Sequence, residues 1–292
     1  MADYIAKGID VSQAQGVIDW AAVKASGLVD FAIIRTGFGW RENSDSQVDK
    51  QFAANVKGCE ENGIPYGFYH YSYCTNPINA RKEAKYMLNI IKGTNPTYPV
   101  WFDIEDPSQS ENLTWQQLTS IAMDFCDEVA EWGYYPGIYS YKNFLENHLN
   151  MKGLARFDTW VAQVDVPKPT YNGSYGMWQY SWKGFIPGIR GDVDLDYAYK
   201  DYPKIITKKC NPKDYDESLD VDIIKNPDLV DRDNIEWVFN NDIRVVNDKR
   251  SGAVLSCSPN TVLTAEAVQR KMRDNHIEYM RSIGYVPKEE LK

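Results

Sequence analysis

Over its first two hundred residues the chain alternates between short apolar runs and longer amphipathic stretches. Phe31-Ala32-Ile33-Ile34 is continuously apolar, the pattern of a strand buried on both faces, and it sits in a predicted strand over 29–36. Other strands are predicted at 4–10, 64–71, 98–105, 136–139, 159–164, 175–180 and 193–199. Between the first five lie helix signals. Asp19 is placed as an N-cap and Gly27 as a stop for the first helix. The second spans 48–61, with Phe52, Ala53, Val56 and Cys59 on one face. The third begins at Asn76-Pro77 and runs to 92. The fourth is capped by Asn112-Leu113-Thr114 and runs to 132. A short helical segment follows at 142–149. Strand-helix alternation with short connections implies a parallel sheet with helical crossovers. Eight strands with about five helices predict an α/β, TIM-like eight-stranded parallel barrel with incomplete helical wrapping.

After residue 199 the pattern changes. The segment 203–218, with Lys208-Lys209 and Asn211-Pro212, reads as a linker. Residues 219–292 carry strand signals at 235–246 and 252–257 and a helix signal at 264–283. A small mixed α+β C-terminal domain is therefore expected after a catalytic barrel over 1–202.

Composition sharpens this division. Of 39 aromatic residues, 34 precede residue 203, and the same segment carries 17 Lys+Arg against 25 Asp+Glu. An acidic, aromatic-rich domain argues against a nucleic-acid partner, whose phosphates demand a basic face. It suits carbohydrate, because aromatic rings stack on the apolar faces of sugars. No apolar run reaches membrane-span length, and the N-terminus carries no signal-peptide pattern, so the chain is expected to be made in the cytoplasm. Cys59, Cys74, Cys126, Cys210 and Cys257 are scattered and odd in number, which supports neither a zinc site nor a disulfide framework. No cofactor or metal is expected.

The chemistry concentrates in Tyr98-Pro99-Val100-Trp101-Phe102-Asp103-Ile104-Glu105. Alternation along a strand puts Val100, Phe102 and Ile104 on one face and Trp101, Asp103 and Glu105 on the other. Two carboxylates on one face of a buried strand cost free energy, which points to a chemical use. Asp10 ends the first strand and Asp194 lies at the eighth. In a closed barrel the first and eighth strands are neighbours and the fourth faces them, so the four carboxyls are expected to converge on one cleft.

The ordered set Gly8-Ile9-Asp10-Val11-Ser12, Gly67-Phe68-Tyr69-His70-Tyr71, Phe102-Asp103-Ile104-Glu105, Trp178-Gln179-Tyr180 and Val193-Asp194-Leu195-Asp196 resembles the family 25 glycoside hydrolases. These are lysozymes that cleave bacterial peptidoglycan, many of them phage endolysins. The resemblance covers about residues 4–200. It implies hydrolysis of the β-1,4 bond between N-acetylmuramic acid and N-acetylglucosamine. Asp194 fits the family pattern better than Asp192.

On this reading Glu105 is the general acid/base, with its proton affinity raised by Asp103, Asp10 and Asp194. Asp103 stays ionised and orients the substrate's own 2-acetamido group as an internal nucleophile. A direct carboxylate nucleophile or a water-activating base is the alternative. Asp10 and Asp194 are supporting groups. Tyr69, Tyr139, Trp160, Trp178 and Gln179 are candidate sugar contacts, or else barrel core. Arg35 is either paired to a carboxylate in the barrel or a recognition group for muramic acid. His70 reads as a packed or hydrogen-bonding residue rather than a base. The small C-terminal domain is expected to target the cell wall, or else to mediate self-association. Two rival readings remain. One is a chitinase-like hydrolase, whose longer Asp-rich motif the chain lacks. The other is a non-catalytic wall-binding or virion structural protein on the same barrel.

Overall fold

The computed structural model describes residues 4–41, 45–209, 244–248, 252–256 and 262–263. Eight strands close into a barrel in chain order. They are β1 (Ala6–Val11), β2 (Phe31–Phe38), β3 (Tyr66–Tyr71), β4 (Val100–Asp103), β5 (Pro136–Tyr141), β6 (Asp158–Ala162), β7 (Met177–Gly184) and β8 (Val193–Ala198). Helices α1 (Trp20–Ser26), α2 (Phe52–Glu61), α3 (Pro77–Ile91), α4 (Pro107–Asn112), α5 (Trp115–Glu131) and α6 (Lys142–Asn147) lie between β1 and β6, and α7 (Tyr202–Lys209) follows β8.

The helix boundaries follow from local hydrogen bonding. The Asp19 carboxylate accepts from the Ala22 N–H at 3.0 Å, and Gly27 closes α1 at φ +65°, a left-handed position that favours glycine. Thr114 and Gln117 form a reciprocal capping box on α5. The helix α4 was not anticipated. Pro107, two residues past the end of the predicted strand, is the first helical residue behind the Asp106 N-cap, where its missing N–H costs nothing.

The expectation of a parallel barrel holds for β1 to β7 and fails for β8, which runs antiparallel to both β7 and β1. The physical reason is connection length. Eight residues separate Gly184 from Val193. A parallel return needs a crossover of roughly a dozen residues or more, so this connection can only make a hairpin. The reversal leaves the neighbour relation intact, with Asp10 opposite Asp194.

Strand alternation sorts side chains into two layers. Ile9, Val11, Ile34, Phe68, Phe102 and Ile138 face the helices and pack with Val56, Met87, Leu88 and Phe125. Phe31, Ile33, Trp101, Trp160, Met177 and Ala198 fill the barrel interior. Bulky rings fit there because glycines face them. A Cβ at Gly8 would collide with the Phe31 ring, and one at Gly137 with the Trp101 indole.

The start of the expected linker proves helical. Tyr202 and Ile206, one turn apart on α7, both enter the interior cluster. The Tyr202 hydroxyl donates to Asp158 Oδ2 at 2.9 Å, and Lys200 Nζ reaches the same oxygen at 2.9 Å. Burial of Tyr202 is what makes 202–209 part of the barrel.

The chain divides into two compact units, Met1–Cys210 and Asn211–Lys292. In the second, β9 (Arg244–Asp248), β10 (Gly252–Ser256) and β11 (Val262–Leu263) form an antiparallel sheet in the order β11-β10-β9. The helix expected at 264–283 and the linker expected over 210–218 lie outside the described residues.

Because Tyr202 is fully buried and hydrogen-bonded, Tyr202→Ala should destabilise the barrel by about 3–5 kcal/mol, the scale of buried Phe→Ala changes. Tyr202→Phe, which removes only the hydroxyl, should cost about 1–2 kcal/mol. Urea denaturation of the two variants checks both values.

Candidate active site

One end of the barrel gathers five carboxyls. Asp103 closes β4 and lies beside Tyr71 on β3 and Tyr139 on β5. Glu105 follows two residues later on the same face, while Phe102 and Ile104 point into the helical layer. Asp10 sits near the end of β1, directly across from Asp194 near the start of β8. Asp196, two residues on, belongs to the same inward face. The antiparallel course of β8 is what brings its first residues, rather than its last, to this mouth.

A hydrogen-bonded chain ties the mouth together. Gln179 Nε2 donates to Asp10 Oδ2 at 2.8 Å and to Asp194 Oδ2 at 3.3 Å. Its Oε1 accepts from the Tyr139 hydroxyl at 2.9 Å and from Trp182 Nε1 at 3.0 Å. Arg35 Nε donates to the buried carboxylate of Asp49 at 2.8 Å, so the arginine has the carboxylate partner that strand placement suggested. That partner comes from the segment preceding α2, not from the barrel wall.

Burial raises the proton affinity of every carboxyl in the set. Glu105 is raised to about 7, first by desolvation, then by Asp194 and Asp106. Asp194 is raised to about 6 by desolvation. Asp10 is held well above the usual range by burial and by Asp194. Asp103 is also held well above it, by burial and then by Glu105 and Asp10, with Arg35 opposing. Asp103 is expected to stay ionised; burial and its acidic neighbours act against that charge. Five carboxyls, three buried and two half-buried, with few donors cannot all carry charge, so the set titrates as a group. The expected direction for Glu105 holds: Asp194 and Asp106 add to it, and Glu105 in turn raises the proton affinities of Asp103 and Asp10.

Two candidate sugar contacts lie elsewhere. Trp160 is 1% exposed, packs on Trp101 and Tyr139, and donates Nε1–H to Asp196 at 2.9 Å, so it is floor beneath the site. Trp178 points outward, packs on Tyr180 and Tyr197, and donates to the Gln163 carbonyl at 2.8 Å. Strand alternation explains both: Gln179 faces in, so its neighbour Trp178 must face out. Tyr69 remains at the mouth, edge-on to Trp160 and within the field of Asp10, Arg35 and Asp103. His70 faces the helical layer, stacks on Phe125, and bonds Thr36 Oγ1 at 2.8 Å and the Gly39 carbonyl at 2.9 Å. Burial lowers its proton affinity to about 4, which fits a neutral packed ring.

Sequence reasoning missed Asp196, Trp182 and Asp49. The first was within reach: Asp192, Asp194 and Asp196 alternate, so alternation gives all three one face. Among the described residues no group of His, Cys, Asp and Glu has the arrangement of a metal site, and no helix is long and apolar enough to cross a membrane.

A barrel mouth lined with carboxyls, one of them holding its proton to about neutrality, is the equipment of acid-catalysed glycoside hydrolysis. The comparisons agree. Residues 9–189, 181 of 292, match Glycosyl hydrolases family 25, and the chain belongs to that family. It is 31% identical over 190 residues to the autolytic lysozyme of Clostridium acetobutylicum, covering 65% of this chain and 55% of that protein. The chain thus spans about half the length of this relative. The crystal structure of the lysozyme from Streptomyces coelicolor superimposes with a TM-score of 0.57 at 26% identity, covering 71% of this chain and 97% of the other. The modular autolysin LytC from Streptococcus pneumoniae, solved with a synthetic peptidoglycan ligand, gives 0.57 at 30% identity over 66% and 46% of the two chains.

The raised value for Glu105 has a consequence for stability. Its carboxyl binds a proton more tightly folded than unfolded, so its contribution is complete below the ordinary 4.5 and is lost as pH rises to about 7. Glu105→Gln, permanently neutral, should match the wild type in stability at acid pH. Above neutrality it should exceed it by about 1–3 kcal/mol, at 1.36 kcal/mol per unit with allowance for partial exposure. Denaturation curves at the two pH extremes measure the difference.

Proposed function

We propose that the protein is an N-acetylmuramidase that hydrolyses the β-1,4 bond between N-acetylmuramic acid and N-acetylglucosamine in bacterial peptidoglycan. The observation that carries this reading is the placement of Glu105, held protonated to about pH 7, within a carboxyl cluster at the barrel mouth. Glu105 gives its proton to the glycosidic oxygen as the bond to the sugar's anomeric carbon breaks. The substrate's acetamido oxygen closes on that carbon from the other face. Water then opens the ring so formed, with the Glu105 carboxylate taking the water's proton.

The buried Oδ1 of Asp103 supports the internal-nucleophile route. Among the described residues no donor reaches it, so it offers an acceptor for the acetamido N–H. The amide N–H and the positive charge that develops on it favour the ionised form of Asp103, whose proton leaves to solvent as the substrate binds. Tyr69, Tyr139, Gln179 and the Arg35–Asp49 pair line the approach, and Trp182, 55% exposed beside Gln179, adds an aromatic face for a sugar ring.

For the unit over 211–292 we assign wall targeting, which raises the local concentration of the barrel at its substrate. Its separation from the barrel as a compact unit supports this. On this reading the chain is made in the cytoplasm and meets the wall after release. Sedimentation of the full chain at two concentrations tests the competing role, self-association.

Digestion of purified peptidoglycan, borohydride reduction and mass spectrometry of the new ends tests the activity. Reduced muramic acid is the expected product. Reduced glucosamine would place the cut at the other bond, and the absence of new ends would favour a non-catalytic wall binder. Glu105→Gln should slow release by about 10²–10⁴-fold while folding survives.

A further inference from the structure

The carboxyl cluster holds one more member than the reaction uses. Asp196 is fully buried, deeper than Asp10, which is 6% exposed. The two side chains hydrogen-bond each other. Ionised carboxylates only accept, so a proton must lie between them.

Their other contacts place that proton. An indole N–H is a donor only. Trp182 therefore fixes which end of the Gln179 amide is oxygen, and the Tyr139 hydroxyl bonds the same oxygen. Gln179 Nε2 must then point at Asp10 and Asp194, which accept from it. Trp160 Nε1–H likewise fixes Asp196 Oδ1 as an acceptor at 2.9 Å. Among the described residues no N–H or other donor is aimed at Asp196 Oδ2. Of the two Asp196 oxygens, that is the one left to carry a proton. Asp10 has an amide donor on its carboxylate and the shallower position, so of the pair it is the member that ionises first.

We propose that Asp196 is a resident neutral acid whose O–H donates to Asp10 and thereby positions the Asp10–Gln179–Tyr139 chain at the barrel mouth. Asp196 is a positioning residue: it touches no reacting atom and acts through Asp10. Gly8 lies opposite Asp196 on β1, and the Phe31 ring fills the place of its side chain. The surrounding groups enforce neutrality. Asp194 on β8 and Asp103 and Glu105 at the end of β4 are acidic, as are the phenols of Tyr69 on β3 and Tyr139 on β5. Arg35 on β2 offsets Asp103 and Tyr69. A second anion beside Asp10 would be buried next to like charge.

The catalytic part of this role rests on the hydrolase reading above, whereas the protonation does not. The test uses the full chain with 13C-labelled aspartate carboxyls, comparing wild type, Asp196→Asn and Asp196→Ala. The resonance absent from Asp196→Asn should hold its neutral position from about pH 5 to about pH 8, well above the usual aspartate range. On peptidoglycan, Asp196→Asn keeps a neutral donor and should stay within about threefold of wild-type kcat. Asp196→Ala removes the donor. Its kcat should fall about tenfold, and the acid limb of its pH profile should move up by about one unit as Asp10 loses its hydrogen bond. A resonance that titrates in the ordinary carboxylate range overturns the proposal. So does an Asp196→Ala profile that superimposes on wild type. If Asp196→Ala does not fold, the resonance and the Asp196→Asn profile decide. If wild type releases no sugar ends, the hydrolase reading fails while the resonance still settles the protonation.

Discussion

Like charge confined in a buried mouth is the constraint on which the rest of the site depends. Asp10, Asp103 and Asp196 are nearly or fully withdrawn from water, and Asp194 and Glu105 are partly so. Such a set stays together only if most of its members keep their protons or find donors. The barrel supplies few donors: the Gln179 amide, the Trp160 indole and, at longer range, the Arg35 guanidinium. Desolvation, with repulsion from Asp194 and Asp106 added, is what lifts Glu105 to about 7. The aromatic floor matters for the same reason. Trp101 and Trp160 fill the interior beneath the carboxyls and keep it dry, so the desolvation that raises these proton affinities is built into the core packing.

The hairpin between β7 and β8 is the second determinant. Seven parallel strands put their last residues at the mouth, and a parallel eighth would have put Ala198 there. Reversal brings the start of β8 up instead, which seats Asp194 against Asp10 and Asp196 just below. It also places Trp182, in the part of β7 nearest the turn, beside Gln179. A short connection that could not carry a helix thus sets both the carboxyl geometry and one aromatic wall.

Much of this was legible in the chain because period-two alternation is a local property. The facing of Asp103 with Glu105, and of both away from Phe102 and Ile104, follows from spacing alone. So do the caps at Asp19 and Thr114, which depend on residues three positions apart. What was not legible depends on partners distant in sequence. Trp160 and Tyr69 occupy inward positions on adjacent registers, and only the packed barrel makes one the floor and leaves the other at the mouth. Asp49 is an ordinary loop aspartate until β2 places Arg35 beside it. The misplacement of Trp178 is different in kind: alternation already opposed it to Gln179, and motif proximity overrode the geometry. The same holds for α7, where Lys208-Lys209 and Asn211-Pro212 suggested a linker although Tyr202 and Ile206 had helical spacing.

Asp103 connects the resting site to the working one. Among the described residues its buried Oδ1 has no donor, and burial and acidic neighbours raise its proton affinity. An amide N–H arriving at that oxygen supplies the missing hydrogen bond, and positive charge developing on the amide reverses the electrostatic balance. The group that the empty cleft keeps neutral is then the group that the reaction favours as an anion. Glu105 also ionises, giving its proton to the leaving oxygen as the bond breaks. Each anion so formed lies beside the positive charge that develops on the ring and its acetamido group, which offsets it. A mouth crowded with acids suits such a reaction because each new negative charge appears only where the substrate has brought a compensating positive one.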